Sequence, residues 1–473
     1  MYNAYITRIK NLHKHPNADR LQIGECFGNA VIVSMEYEDN QLGIYFPSDG
    51  QVSVAFADAN NLLRKKDEDG NNIGGYMDPD KRNVTAIKLR GEKSDGLFLP
   101  LKSLESFGDI TTLHEGDRIN NFDGHEICCK YIPRTNRRRG HVSDGNKTRK
   151  KKVPVAPLFS EHADTEQLAY NLGAFKTGDE IEITLKMHGT SQRTGYLPVL
   201  KGYKRTLWDK ILRRDGKPIY DWGYVSGTRR TVLENFEGGY YGSNEFREAH
   251  SKFFEGKLNK GESVYYEVVG FTTNGTPIMA SCDNRKLNDK DFVKQYGDTT
   301  VFSYGCDPNG GQVVASQGIF DIVNTNSQSD IYVYRMTMTN EDGFVVEYSP
   351  DFMRYRCEQM GVKSVPVFAK GTIDCEGIHI YYPNEELYGF IHEMESVGDT
   401  VKQVAEEYYD GPDPIGKTHV REGVVVRIIN RPKFCAYKHK NWFFKALEGI
   451  VKVEADAPDM EEAESVVEEE VVS

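Results

Sequence analysis

Asp179-Glu180-Ile181-Glu182-Ile183-Thr184-Leu185-Lys186-Met187-His188-Gly189-Thr190-Ser191 alternates apolar and polar side chains with a period of two. Ile181, Ile183, Leu185 and Met187 fall on one face of a strand, with Glu182, Thr184 and Lys186 on the other. Gly189 ends the run, so Lys186 is expected at the end of the strand, facing away from the core. Partial desolvation at such a place supplies the neutral amine that nucleophilic attack requires. A lone lysine before a turn is ordinarily a surface residue, so the reading depends on its surroundings.

Residues from about 155 to 452 alternate strand-like and helical stretches, which predicts one large domain of mixed strands and helices. Several of its segments place charge where a plain strand would not. Ser226-Gly227-Thr228-Arg229-Arg230-Thr231 carries paired arginines, and Ser263-Val264-Tyr265-Tyr266-Glu267-Val268-Val269-Gly270-Phe271 holds one carboxylate in an apolar run. Asp330-Ile331-Tyr332-Val333-Tyr334-Arg335 sets two aromatics on one strand face. Arg421-Glu422-Gly423-Val424-Val425-Val426-Arg427 precedes Ala436-Tyr437-Lys438-His439-Lys440-Asn441, where Lys438 and Lys440 share a face. Two cations turned to one point repel unless an anion occupies it. Taken singly, each segment has a plain reading: surface arginines, a salt-bridged glutamate, a core aromatic, lysines blunting a sheet edge.

Residues 1 to 125 read as short strands separated by Asn, Asp and Gly turns, the pattern of a small barrel or sandwich. A basic linker, 126–154, follows; from Lys130 to Lys152 ten Lys or Arg residues face one acid, Asp144. It can contact phosphate backbone or serve as a solvated hinge. The stretch 453–473 is an acidic tail too poor in apolar residues to pack, and is expected to be disordered. The formal net charge is −12, and nine acids lie between Glu454 and Ser473, so the body is near balance and its local charge decides its partners. The eight cysteines form no CxxC pair and read as free thiols. With no apolar run of membrane-spanning length and no secretory pattern at the N-terminus, no membrane partner and a cytoplasmic (or nuclear) location are expected. No Walker-type glycine loop is present, which disfavours a P-loop kinase.

Lys186-Met187-His188-Gly189-Thr190-Ser191 resembles the nucleotidyl-acceptor motif of the covalent nucleotidyltransferases: DNA ligases, RNA ligases and mRNA capping enzymes. The common form is K-x-D-G; the form with His in third place is similar to that of phage-type RNA ligases that seal nicks. The five segments above follow in the family's order and span nearly all of 155–450. In the N-terminal module, His15-Pro16-Asn17-Ala18-Asp19-Arg20-Leu21 and Ala86-Ile87-Lys88-Leu89-Arg90-Gly91-Glu92-Lys93-Ser94-Asp95-Gly96-Leu97 resemble parts of a tRNA-binding type of OB-fold. The resemblance implies an α+β fold: a nucleotidyltransferase (adenylation) domain of antiparallel sheets with flanking helices, preceded by a small OB-like β-barrel.

The resemblance also implies roles. Lys186 becomes bonded to AMP, and Arg229, or Arg230, holds the ribose or the 5′-phosphate of the nucleic acid. Glu267 takes the ribose hydroxyls; Tyr334, or Tyr332, stacks on adenine; Glu422 supports the metal; Lys438 and Lys440 reach the α-phosphate. His188 and Ser191 join the nucleotide site but depart from the usual Asp and Asn, which leaves the metal arrangement less defined than the lysine. The implied activity is that of an ATP-dependent RNA ligase. It would join 3′-hydroxyl and 5′-phosphate ends through lysyl-AMP and an adenylylated 5′-end, with ATP and a divalent cation (Mg or Mn). The expected partner is RNA with nicked or splinted ends, DNA-containing duplexes included, and the expected state is a monomer. Only about 30 residues follow Lys440, leaving no room for the C-terminal OB domain usual in DNA ligases and capping enzymes. A DNA or mixed-strand ligase is the main alternative. A non-catalytic nucleic-acid-binding protein is the second, opposed by intact Lys186, Glu422, Lys438 and Lys440.

Overall fold

The computed structural model describes residues 2–66, 70, 73–133, 153–162, 165–212, 216–233, 236, 241, 244–308, 328–381, 389–391 and 396–454. Most of the basic linker and the acidic tail beyond 454 lie outside these residues. The chain forms two compact units.

In the larger unit the strand Glu180–Leu185 forms as its alternation predicts, with Ile181, Ile183 and Leu185 buried. It is the middle strand of seven, in the order Glu166–Gln167, Ala436–Lys440, Gly423–Ile428, Glu180–Leu185, Val367–Ile373, Ile378–Tyr381, Gly389–Ile391. Neighbours are antiparallel except the short Glu166–Gln167 edge, which is parallel to its partner. Ile181, Ile183, Val424 and Val426 pack against Val401 and Val404 of the amphipathic helix Val397–Tyr408. The opposite face is covered as well: Glu182 is buried there and pairs at 2.8 Å with Arg354 of the helix Pro350–Met360.

A second antiparallel sheet runs in the order Val232–Leu233, Lys217–Gly227, Thr190–Lys204, Glu262–Gly270, Ser329–Thr339, Val345–Glu347, with Lys363–Ser364 parallel to Ser329–Thr339. Glu262–Gly270 is buried along its whole length. Its Val264, Tyr266 and Val268 share a core with Phe246 of the helix Glu245–Phe253 and with Met353 and Cys357. One strand ends at Leu185 in the first sheet and the next begins at Thr190 in the second, so Lys186 to Gly189 form the corner between sheets. The α+β class with mostly antiparallel sheets and few helices matches the expectation from sequence.

The smaller unit is built on short antiparallel strands, as its Asn, Asp and Gly turns predict. Ala4–Arg8, Leu42–Phe46, Leu97–Pro100 and Arg118–Ile119 form one sheet, and Ile6, Ile44, Phe46, Phe56 and Ile127 fill the core. The two stretches singled out in the sequence meet here. His15 is fully buried with Nε2 3.1 Å from the Leu89 carbonyl, and Asn17 donates to the Arg90 carbonyl at 2.9 Å.

This unit is discontinuous in sequence. Besides the described part of residues 1–136 it takes in 282–300 and 441–454, whereas the sequence predicts a single domain over 155–452. Within it Lys88 pairs with Asp289 at 2.7 Å, Lys445 with Asp95 at 2.6 Å, and Lys452 of the helix Trp442–Glu454 with Asp49 at 2.6 Å. Phe292 stacks on Phe443 at 4.8 Å, and the Lys93 ammonium lies 4.1 Å over the Phe443 ring. Periodicity reports that a helix has an apolar face, but not which distant segment will cover it.

Candidate active site

The corner after Leu185 gathers most of the charge. Lys186 donates its backbone N–H to the Gly423 carbonyl at 3.0 Å, which seats it beside Glu422 at the start of the neighbouring strand. Its Nζ lies 2.7 Å from Glu422 Oε1, and Lys440 Nζ lies 3.2 Å from the same oxygen. Gly423 is required: its φ is +143°, and a Cβ there would sit 2.1 Å from the His439 carbonyl. That close contact sets Gly423 opposite Lys440 in the ladder.

Glu422 is 2% exposed. Burial acts to raise its pKa, but Lys186, Lys440 and His188 together outweigh it and hold the carboxyl well below the usual range. Such a buried carboxylate is tolerable only with this much positive charge around it. Lys438, two residues before Lys440, turns to the same side of its strand.

His188 is fixed from several directions. Its Nδ1 stands 3.4 Å from Glu422 Oε2, its backbone N–H donates to the Tyr304 hydroxyl at 2.8 Å, and its ring meets Phe302 edge-on at 4.6 Å. Tyr304 is buried against His419. Burial, with Asp413 and Glu422 adding to it, keeps the phenol far above its ordinary titration range, so it remains a neutral hydrogen-bonding group. Gly189 closes the corner, since a Cβ there would come within 2.4 Å of the Val268 carbonyl.

A second group lies along the other sheet. Ser191 is paired in register with Glu267, which is 7% exposed, and Glu267 in turn with Tyr332. The register slips between Tyr265 and Tyr266, leaving Tyr334 as the extra residue of a β-bulge. A bulge re-aims the side chain it carries. Tyr334 is half-buried with its hydroxyl 2.9 Å from Ser191 Oγ, whereas Tyr332 is buried beneath the Lys363 ammonium. The sequence alone could not separate these two tyrosines, because strict alternation puts both on one face.

Arg229 and Arg230 sit in a loop held by Arg193, a residue the sequence reading passed over. Arg193 is 1% exposed and donates to the carbonyls of Thr228 (2.8 Å), Arg230 (3.1 Å), Phe159 (2.9 Å) and Ser160 (2.5 Å). Arg230 is exposed; Arg229 is half-buried, and its carbonyl accepts from the His162 N–H at 3.1 Å. The His162 ring lies 5.1 Å from that of Tyr334. Burial, then the charges of Arg229, Arg335 and Arg193, push His162 far below the usual histidine range. Arg193→Ala is expected to lose at least ~3 kcal/mol of stability in denaturant unfolding, because four carbonyls lose their donor at once.

The buried histidines also set an acid limit. His250, whose Nε2 is 2.9 Å from Ser329 Oγ, is pushed down to about 4 by burial, with Asp330 opposing and Arg247 adding to the effect. A depressed pKa makes the unfolded chain bind the proton first, so this contribution is complete above the unfolded value and fades as pH falls toward the folded one. The melting temperature is expected to drop between pH ~6.5 and ~4, and to drop less in His250→Gln.

The structure thus brings Lys186, His188, Glu422 and Lys440 into one ion-paired cluster, and places Ser191, Glu267 and Tyr334 on adjacent strands of the second sheet. It adds Tyr304, Phe302, His419, Arg193 and His162, which belong to no motif and pack from outside the quoted segments. Among the described residues no three His, Cys, Asp or Glu side chains come together as a metal cage. Glu422 Oε2 is nevertheless buried without a hydrogen-bond partner, and at 3.4 Å His188 Nδ1 is too far to be a good one. That oxygen fits a hard cation held through water, its remaining positions filled by phosphate oxygens.

The larger unit is thus an antiparallel two-sheet framework with Lys186 at the corner between sheets, paired with the buried Glu422, which Lys440 also meets. Neither a family model nor a curated protein matches the sequence, but solved structures match the fold. An RNA ligase of Naegleria gruberi with PPi aligns over 96% of this chain and 99% of its own, with a TM-score of 0.51 and 16% identity. A lysine-to-alanine mutant of that ligase with ATP and Mn aligns over 96% and 99%, with a TM-score of 0.50 and 15% identity. The chain has the RNA-ligase nucleotidyltransferase fold.

Proposed function

We propose that the protein is an ATP-dependent RNA ligase that joins 3′-hydroxyl and 5′-phosphate ends through a covalent AMP adduct on Lys186. The observation that carries this reading is the Lys186–Glu422–Lys440 cluster at the corner between the two sheets. The solved ligase mutant with ATP and Mn shares this fold, and supports ATP and a divalent cation as what the site uses.

The chemistry follows from the charges. An amine attacks phosphorus only as the free base, so Lys186 must give up its ammonium proton to solvent, and with it the ion pair to Glu422, before it reacts. Its lone pair then forms a bond to the α-phosphorus of ATP while the bond to the β-phosphate oxygen breaks and pyrophosphate leaves. Lys440 and Lys438 offset charge on the α-phosphate. A divalent cation held through water by Glu422 supplies further charge neutralisation. Tyr334, re-aimed by the bulge, offers the adenine a ring face, and Glu267 accepts from the ribose hydroxyls. AMP next passes to a 5′-phosphate, and attack by a 3′-hydroxyl on that activated phosphate releases AMP and closes the strand. Arg229, or Arg230, binds the ribose or the 5′-phosphate in this reading. The smaller unit, read as OB-like, grips the nucleic acid, and the protein acts as a cytoplasmic monomer.

The deciding experiment incubates the protein with ATP labelled at the α-phosphate and a divalent cation, then separates it under denaturing conditions. Label retained on the protein supports the reading. No label, even after pyrophosphate treatment to strip adenylate acquired during expression, would leave only a nucleic-acid-binding role.

A further inference from the structure

The strands Thr190–Lys204 and Lys217–Gly227 are far longer than the sheet they belong to. Glu262–Gly270 pairs with the first only from Thr190 to Gly195, and Val232–Leu233 meets the second only at Ser226 and Gly227. From Leu197 to Lys204 the ladder runs on against Lys217–Gly223 as a two-stranded ribbon, joined on one edge by the Leu200 N–H bond to the Val155 carbonyl. Leu197 is fully buried against Ala156, Phe159 and Val225 and Val199 packs on the same cluster, so the ribbon stands clear only from about Lys201 to Lys204, a reach on the order of 13 Å. Aromatic rings brace its base as well: Tyr196 stacks on Tyr224 at 4.7 Å, and Trp222 packs on Tyr196 at 5.9 Å.

The tip breaks two rules of a structural hairpin. Its short helix Leu207–Ile211 turns apolar side chains to solvent, with Leu207 77%, Trp208 72% and Ile211 69% exposed. Its cations also crowd together, for Lys204 and Lys217 sit directly opposite each other in the ladder. Like charges in register destabilise a strand pair unless an anion lies over them. Lys201 is the extra residue of a bulge between Leu200 and Gly202, and a Cβ on Gly223 would lie 2.9 Å from its Nζ, so the missing side chain leaves room for the amine. Arg205 is exposed beside them. This concentration of positive charge stands in a chain of net charge −12.

The geometry points to this arm as a second nucleic-acid contact, gripping the backbone of an RNA-containing duplex on the flank of the ends being joined. The inference rests on the ligase reading and extends it to the substrate's flanks. The polyanion accounts for the opposed lysines. The wide, shallow minor groove of an A-form helix admits a short helix that contacts it by shape, and Trp208 offers a face for stacking. A ribbon carrying cations on its shaft and an apolar wedge at its tip suits a grooved polyanion better than a flat protein face.

The test uses the full chain and a fluorescein-labelled RNA duplex of 30 base pairs with a central nick, read by anisotropy over a range of salt. A variant with Lys201, Lys204, Arg205 and Lys217 all changed to serine, and separately Trp208→Ala, are compared with the parent. The fourfold variant is expected to bind about tenfold or more weakly, with the slope of log K against log salt reduced by roughly 3. On a 12-base-pair duplex, which offers less flank to grip, the difference should be smaller. Self-labelling by ATP should be unchanged in both variants, which separates this inference from the ligase reading: parent protein that fails to label defeats the latter, while the binding comparison still stands. Equal affinity and salt slope for parent and fourfold variant overturn the arm's role. So does a Trp208-dependent dimer in light scattering, or Trp208-dependent binding to vesicles of neutral and anionic phospholipid without any effect on RNA.

Discussion

Lys186→Ala is expected to take up no label from ATP labelled at the α-phosphate, a loss on the order of 10⁴-fold or more. The argument is positional. The Lys186 backbone is tied to the Gly423 carbonyl, and its side chain, 18% exposed, ends 2.7 Å from Glu422. Lys440 is the nearest rival at 3.2 Å from the same oxygen, but it belongs to the ladder of Ala436–Lys440 opposite Gly423. Peptide mapping of the labelled protein distinguishes them, and label on Lys440 in the Lys186→Ala variant would sink the assignment. Lys186→Arg should fail as completely, since a guanidinium keeps its proton at any workable pH and offers no free lone pair. Both variants should fold.

Glu422→Gln is expected to damage stability and chemistry together. Without the carboxylate, Lys186 and Lys440 face each other in a mostly buried site with no anion between them, and removing one member of such a set costs about 3–5 kcal/mol. Labelling should fall by about 10²–10³-fold, as the site loses the group that orders Lys186 and supports the cation. The pH dependence has a definite sign. Glu422 is held well below the usual carboxylate range against the effect of its burial, by Lys186, Lys440 and His188. Its contribution is therefore complete above the unfolded carboxylate pKa and is lost as pH falls through the lower folded value. The gap in melting temperature between parent and Glu422→Gln should stay constant at neutral pH and narrow only in strong acid. A gap that closed between pH 7 and 6 would mean that the pair contributes little.

The corner lysine was legible because three independent signals coincide in one short stretch: alternation for the strand, glycine for the corner, and an acceptor-like motif. Glu422 and Lys440 were legible from their motifs, but their 3.2 Å contact was not, since register between separated strands depends on packing. Tyr334 shows the limit of period-two reasoning. One extra residue in the strand separated it from Tyr332, and nothing in the sequence marks the bulge. Tyr304 and Arg193 were missed for another reason. Each serves the site through backbone atoms, Tyr304 accepting from an N–H and Arg193 donating to carbonyls, and such contacts leave no trace in residue type.

The divided smaller unit bears on how the chain is made. Residues 2–133 leave the ribosome early, yet Asp95 meets Lys445, and Asp49 its nearer lysine Lys452 (Lys130 lies at 3.8 Å), only when residues 350 and 403 positions further along arrive. At usual elongation rates that is a wait on the order of tens of seconds. Throughout it the nascent module carries an uncovered seam where Lys93 has no Phe443 to meet, and the same seam reopens in any product cut before residue 441. Quality control in the cell therefore has a ready mark of incompleteness, because a covered surface on the smaller unit requires that translation has passed Lys440.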